Sequence, residues 1–160
     1  MSLAMLFLPG SGSPILPHGI EPSRALFPTE MPRPVLLVTA SAESEDTVLA
    51  SLGSFQLRES TVVARNAADA TIYLRDKEQA VPAMVLLDDG GSEVELLGLI
   101  RGEERLRRTP VIVLASANAD VARAYESGAN SCIRRPASGS HLTEALYQVI
   151  RYWMFLNQPG

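Results

Sequence analysis

Two carboxylates end an apolar run in "AMVLLDDGG", residues 83–91, and two glycines follow them. A carboxylate at the end of a buried strand is placed for chemistry, whereas the plainer alternative is a strand that stops at a solvated acidic turn. Other reactive or charged side chains gather after similar apolar runs. Thr39, Ala40 and Ser41 follow "PVLLV", Ala115 and Ser116 end "VIVLAS", and Arg134 and Arg135 follow Ser131–Ile133. An arginine near Asp88 could pair with its carboxylate through a forked guanidinium. The single cysteine, Cys132, lies in the last of these runs and reads as a small buried hydrophobe, since nothing near it in sequence would depress a thiol pKa. Hydrolytic chemistry would need a nucleophile with a base in reach, and His141 is the only histidine outside the first 33 residues. His141 is expected to be exposed, and His18 belongs to a different kind of segment. On these grounds the chain is not expected to be an enzyme.

Composition narrows the classes further. With 160 residues the chain holds one domain with a full core. A formal net charge of -4 offers no basic face for phosphate backbones, so direct nucleic-acid contact is not expected. One cysteine rules out an internal disulfide, and two histidines give no zinc-ligand spacing; no metal ligands are assigned. No apolar run approaches the roughly 18 residues of a membrane span. The run "LAMLFLPGSG" lacks a preceding positive charge and breaks at Pro9-Gly10, so it does not read as a signal peptide, and the expected location is cytoplasmic.

Residues 1–33 carry six prolines among glycines and serines and sustain no apolar period, which predicts an extended arm or tail. Residues 34–160 are the folded part. Short runs rich in Val, Leu and Ile predict strands at Val35–Val38, Thr61–Ala64, Met84–Leu87, Val111–Leu114 and Ser131–Ile133. Amphipathic stretches alternate with them. The first begins in an acidic turn and turns Val48, Leu49, Leu52 and Phe55 to one side. The second follows Asn66 as a cap and buries Ala70, Tyr73 and Leu74. The third opens with a Ser92/Glu95 capping box and buries Leu96, Leu99 and Ile100. The fourth runs from about Asn118 to Ser127 and stops at Gly128. The last carries the stripe Leu142, Leu146, Val149, Ile150, Trp153 and Met154, which also suits a dimer contact at its end. The mixed-sign "RGEERLRR" at 101–108 reads as a solvated helix end. Five strand–helix units in alternation predict an α/β fold: a doubly wound, five-stranded parallel sheet with helices on both faces and its site at the carboxyl ends of the strands.

At those strand ends a family resemblance appears. "PAMVLLDDGG", "TPVIVLASANADVARAYESGANSCIRRPAS" and "LTEALYQVIRYWMFLNQPG" resemble the receiver domain of two-component response regulators, the CheY-like superfamily, in particular its stand-alone kind. The resemblance covers residues 34–160 and implies a flavodoxin-like (βα)5 fold with strand order 2-1-3-4-5. It implies a phosphoacceptor position at Asp88, to which a histidine kinase would pass a phosphoryl group. Signalling proteins, a histidine kinase among them, are the implied partners, met through the fourth and fifth helices and the last strand; a homodimer through the same surface is also implied.

Measured against that family, the surroundings of Asp88 are altered. The acidic pair that helps to hold Mg²⁺ is replaced by Thr39 and Ala40, leaving Asp89 as the nearby anionic helper. Ala115 stands where a hydroxyl residue meets the phosphoryl group, with Ser116 beside it. Arg135 replaces a lysine, and Cys132 replaces the aromatic switch residue. Because Mg²⁺ neutralises the incoming oxygens of phosphoryl transfer, weak Mg²⁺ binding at best is expected, and no other cofactor. The resulting reading is a pseudo-receiver, a protein-interaction module with a degenerate phosphorylation site. The alternative is a phosphorylation-competent single-domain response regulator that still uses Asp88. A further alternative is a flavodoxin-like FMN-binding protein, suggested by the hydroxyl-rich turn "VTASAESED", although Glu43, Glu45 and Asp46 would repel a phosphate there.

Overall fold

The structure, a computed structural model, describes residues 33–88, 93–116, 119–135 and 139–156. The arm expected over 1–33 lies, apart from Arg33, outside the described residues, as do Asp89 and Ser92 of the expected capping box.

Five strands alternate with five helices. They are β1 (Val35–Val38), α1 (Ala42–Gly53), β2 (Thr61–Ala64), α2 (Ala67–Arg75), β3 (Met84–Asp88), α3 (Glu93–Gly102), β4 (Val111–Ala115), α4 (Val121–Glu126), β5 (Ser131–Arg134) and α5 (Gly139–Arg151). The strands form one parallel sheet in the order β2-β1-β3-β4-β5, as the resemblance implied. Successive parallel strands need a crossover between them, and α1 to α4 supply the four, while α5 follows the last strand. Because side chains alternate across a strand, the sheet feeds two cores. Leu36, Val38, Val85, Leu87, Val111 and Val113 pack with Ala70, Leu74, Leu96, Leu97, Ile100 and Ala124 from α2, α3 and α4. The intervening Val35, Leu37, Met84, Leu86, Ile112 and Leu114 are equally buried, as are Val48 and Leu52 of α1 and Leu142, Leu146 and Ile150 of α5.

Local signals fix the helix starts. Ser41 caps α1 by accepting the Ser44 N–H at 3.1 Å, and Asn66 caps α2 by accepting the Asp69 N–H at 2.7 Å. Helix α4 begins at Val121 rather than near Asn118, because Asp120 takes the cap position and accepts the Arg123 N–H. Helix α3 buries Leu96, Leu97 and Ile100, while Leu99, expected in that stripe, is only half-buried. Strands β3, β4 and β5 each run one residue further than expected, to Asp88, Ala115 and Arg134, because the ladder pairs Asp88 with Leu114 and Ala115 with Arg134. After Arg151 the last helix loosens into a π-helical turn over Tyr152–Leu156, where Trp153 and Met154 are half-buried. Trp153 Nε1 donates to Ser131 Oγ at 2.9 Å, and Phe55 stacks on Tyr147 with ring centroids 4.8 Å apart. These contacts tie α5 and the turn after it to β5 and to the segment that follows α1.

The charged segment 101–108 is solvated only in part: Glu104, Arg107 and Arg108 are exposed, but Arg101 and Arg105 are half-buried and bonded. The Arg101 guanidinium donates to the carbonyls of Gly128, Arg107 and Thr109 and to Asn130 Oδ1, all between 2.6 and 3.0 Å. Burial pulls its pKa below the ordinary arginine value. Arg105 in turn donates to the carbonyls of Leu74 and Gln79 at 3.0 and 2.9 Å. Both side chains satisfy carbonyls that helix and strand ends leave without partners. Gly128 ends α4 at φ +116°, and a Cβ there would stand 2.9 Å from Arg101 Cγ, so backbone conformation and space both require glycine.

Candidate functional site

Parallel register brings the chemistry-bearing residues to one edge of the sheet. Val38 lies beside Leu87, so the next residues, Thr39 and Asp88, are neighbours across β1 and β3. Thr39 is held there by its own N–H, which donates to Ala64 O at 3.0 Å, and is almost fully buried. Its hydroxyl donates to Asp88 Oδ2 at 2.6 Å and accepts the Ser41 N–H at 3.1 Å.

On the other side, Arg135 follows β5 directly and is fixed by its N–H, which donates to Ala115 O at 2.8 Å. Two strand spacings, roughly 10 Å, separate β5 from β3. A long side chain is needed to cross them, and Arg135 Nη2 does so to pair with Asp88 Oδ1. The side chains of Asp88 and Arg135 keep only 12% and 27% of their surface exposed, so the pair is shielded from water on most sides. Both carboxylate oxygens of Asp88 are therefore engaged, one by a hydroxyl and one by a guanidinium.

The other expected pocket residues have different roles. Ala40 is exposed and brings no donor; Ala115 is buried. The carbonyl of exposed Ser116 accepts the Ala119 N–H at 3.1 Å and Arg134 Nη1 at 3.4 Å. Cys132 is half-buried rather than fully buried, packed against the core. His141 is exposed on α5. Tyr125 of α4 went unnoticed in the sequence: its hydroxyl accepts the Cys132 N–H at 3.0 Å, which places an aromatic beside β5 although β5 itself has none. The "ESGAN" context marks only the end of a helix, so no sequence signal pointed to that bond.

Mg²⁺ was the one ion the family resemblance implied, and the described residues do not suit it. The hydroxyl of Thr39 is committed to Asp88, Ala40 has no ligand atom, and both oxygens of Asp88 are taken. Among the described residues, no three His, Cys, Asp or Glu side chains gather where they could hold a metal ion. The turn that suggested flavin binding has its hydroxyls engaged, Thr39 with Asp88 and Ser41 with the Ser44 N–H in the first turn of α1. No helix among the described residues is long and apolar enough to cross a membrane.

Comparison with known proteins agrees with the fold. The chain is similar to the probable methanogenesis regulatory protein FilR2 of Methanothrix harundinacea, with 36% identity over 105 residues, 60% of this chain and 68% of FilR2. It is 31% identical to the bacteriophytochrome response regulator AtBRR, with a TM-score of 0.57 over 79% of this chain and 98% of AtBRR. The chain belongs to the response regulator receiver family. This receiver also shares its fold with the response regulator Rcp1, solved in a Mn(2+)-bound form, with a TM-score of 0.71 at 20% identity over 80% of this chain and 99% of Rcp1. No family model matches the receiver. Its sheet order is that of the receiver family, and FilR2 is by name a regulatory protein.

Proposed function

We propose that this receiver works as a pseudo-receiver: a protein-interaction module in two-component signalling whose Asp88 is held in a standing ion pair instead of cycling through phosphorylation. One observation carries the reading. Asp88 Oδ1 is paired with Arg135 while Oδ2 accepts the Thr39 hydroxyl, so both oxygens are held by partners that draw off charge and weaken them as nucleophiles toward an incoming phosphoryl group. Attack would require the carboxylate to break at least one of these contacts and turn toward the phosphoryl group. The missing acids at Thr39 and Ala40 add to this, because the charge that builds on the transferring group would have no divalent ion to neutralise it.

In this reading Arg135 supplies permanently the positive charge that a phosphorylated receiver would attract only on activation, and the sheet edge stays in one state. The protein is not a catalyst. It acts by presenting a fixed surface to other signalling proteins, with a sensor kinase as the expected class of partner and the surface of α4, β5 and α5 as the expected contact.

The test is intact mass after incubation with acetyl phosphate and Mg²⁺, with Asp88→Asn as control. An unchanged mass in both proteins is the expected result. A phosphoryl adduct on the native chain that disappears in the variant would overturn the reading and make Asp88 a working phosphoacceptor.

A further inference from the structure

Beside the Asp88 pair, but lined by other residues, an open cleft of about 420 Å³ lies between α3, α4, β4 and β5. Its lining is apolar and mostly small: Ala115 at the end of β4, Ala119, Ala124 of α4 and Cys132 of β5, with Val113 of β4 and Val94 of α3 beside them. Ala115 and Ala124 are buried, and Cys132 and Ala119 pack against the same core, so the floor is a firm surface. No bulky side chain from β5 fills this space, because Cys132 sits where a ring could stand.

The rim is charged. Glu93 and Glu95 stand in the first turn of α3, with Asp120 and Arg123 at the start of α4, giving three carboxylates against one guanidinium. Size and charge together select a ligand class. A dry cavity of roughly 150 Å³ takes a benzene ring, and ordinary small-molecule sites span about 300–1,000 Å³, so this cleft has room for one or two flat rings. A net negative rim repels phosphates and carboxylates and attracts a cation.

We propose that this cleft is a binding site for a flat aromatic ligand carrying a protonated amine or amidine, its ring on the alanine and cysteine floor and its cationic group at the carboxylate rim. Such a ligand bridges α3 and α4 without contact to Asp88. The site is thus separate from the ion pair, and its failure leaves the pseudo-receiver reading untouched.

The test uses the full chain with ¹³C-methyl alanine, titrated with tyramine and, in parallel, with 4-hydroxyphenylacetate, which keeps the ring and reverses the charge. Saturable shifts at the Ala115, Ala119 and Ala124 methyls with tyramine are expected, with Ala50 and Ala70 unmoved and binding of the carboxylate at least tenfold weaker. Glu95→Gln, at an exposed position, weakens tyramine by about threefold, the scale of one partly screened ion pair. Ala119→Leu fills the cleft and abolishes the shifts at Ala115 and Ala124. Absence of saturation, equal response to both charges, shifts spread to Ala50 and Ala70, or binding that survives Ala119→Leu would each overturn the proposal.

Discussion

Replacing Arg135 by methionine removes the charge that holds Asp88 while keeping an unbranched side chain to cross the sheet edge. An exposed ion pair contributes about 0–1 kcal/mol, and breaking a buried one costs about 3–5 kcal/mol. With Asp88 12% and Arg135 27% exposed, this pair falls between those limits. The carboxylate is the more buried partner and retains only the Thr39 hydroxyl, so Arg135→Met is expected to destabilise by about 2–3 kcal/mol. Asp88→Asn still offers an oxygen to Thr39 and leaves Arg135 partly in water, which limits its cost to about 1 kcal/mol. The double variant no longer contains an isolated charge on the carboxylate side. A double-mutant cycle by urea denaturation at neutral pH should therefore give a coupling of about 2 kcal/mol. Raising the salt concentration should reduce that coupling only slightly, because a shielded pair is poorly screened. Additivity within about 0.5 kcal/mol would show that the two side chains do not interact in solution and would remove the basis for a locked carboxylate.

Further expectations follow from packing and capping. Gly128→Ala should lower stability by about 1–3 kcal/mol in chemical denaturation, since it combines a left-handed backbone with a close approach to Arg101; an unchanged midpoint would contradict that geometry. Leu146→Ala, at a fully buried position of α5, should cost about 2–5 kcal/mol by the same measurement. Burial raises the Tyr73 phenol above its ordinary pKa, with Arg105 partly opposing the shift. The folded state therefore holds that proton more tightly than the unfolded chain does; the stability this contributes is complete below about pH 10 and is lost as pH rises through the folded pKa. Tyr73→Phe should accordingly flatten the alkaline fall in a stability–pH profile, and an unchanged slope would count against the burial argument. Trp153 is the only tryptophan and donates to Ser131. Ser131→Ala should shift its emission without unfolding the sheet, and an identical spectrum would show that the bond is not populated.

The sheet was legible in the sequence because β1, β3 and β4 are buried apolar runs flanked by the half-buried β2 and β5, and Ser41 and Asn66 announced their helices. Asp88 and Arg135 could be placed because strand ends in a parallel sheet share one edge. Thr39 was legible only as a missing acid. Its hydroxyl bond to Asp88 depends on the β1–β3 register, which no local pattern states. The work of Arg101 was hidden for a similar reason: its acceptors at Gly128 and Asn130 are distant in the chain, and "RGEERLRR" read alone is a run of soluble charges. Leu97 and Leu99 both lie in the apolar run of α3, so pattern alone did not separate the fully buried Leu97 from the half-buried Leu99.

Tyr125 also bears on how this chain avoids its own kind. Strand β5 closes one side of the sheet, and any such border offers backbone groups that can recruit a foreign strand and start open-ended polymerisation. The phenol of Tyr125 occupies the Cys132 N–H midway along that border. An incoming strand must displace it before it can add, so one hydroxyl guards against fibre growth at a place where the short β5 has no charged side chain until Arg134.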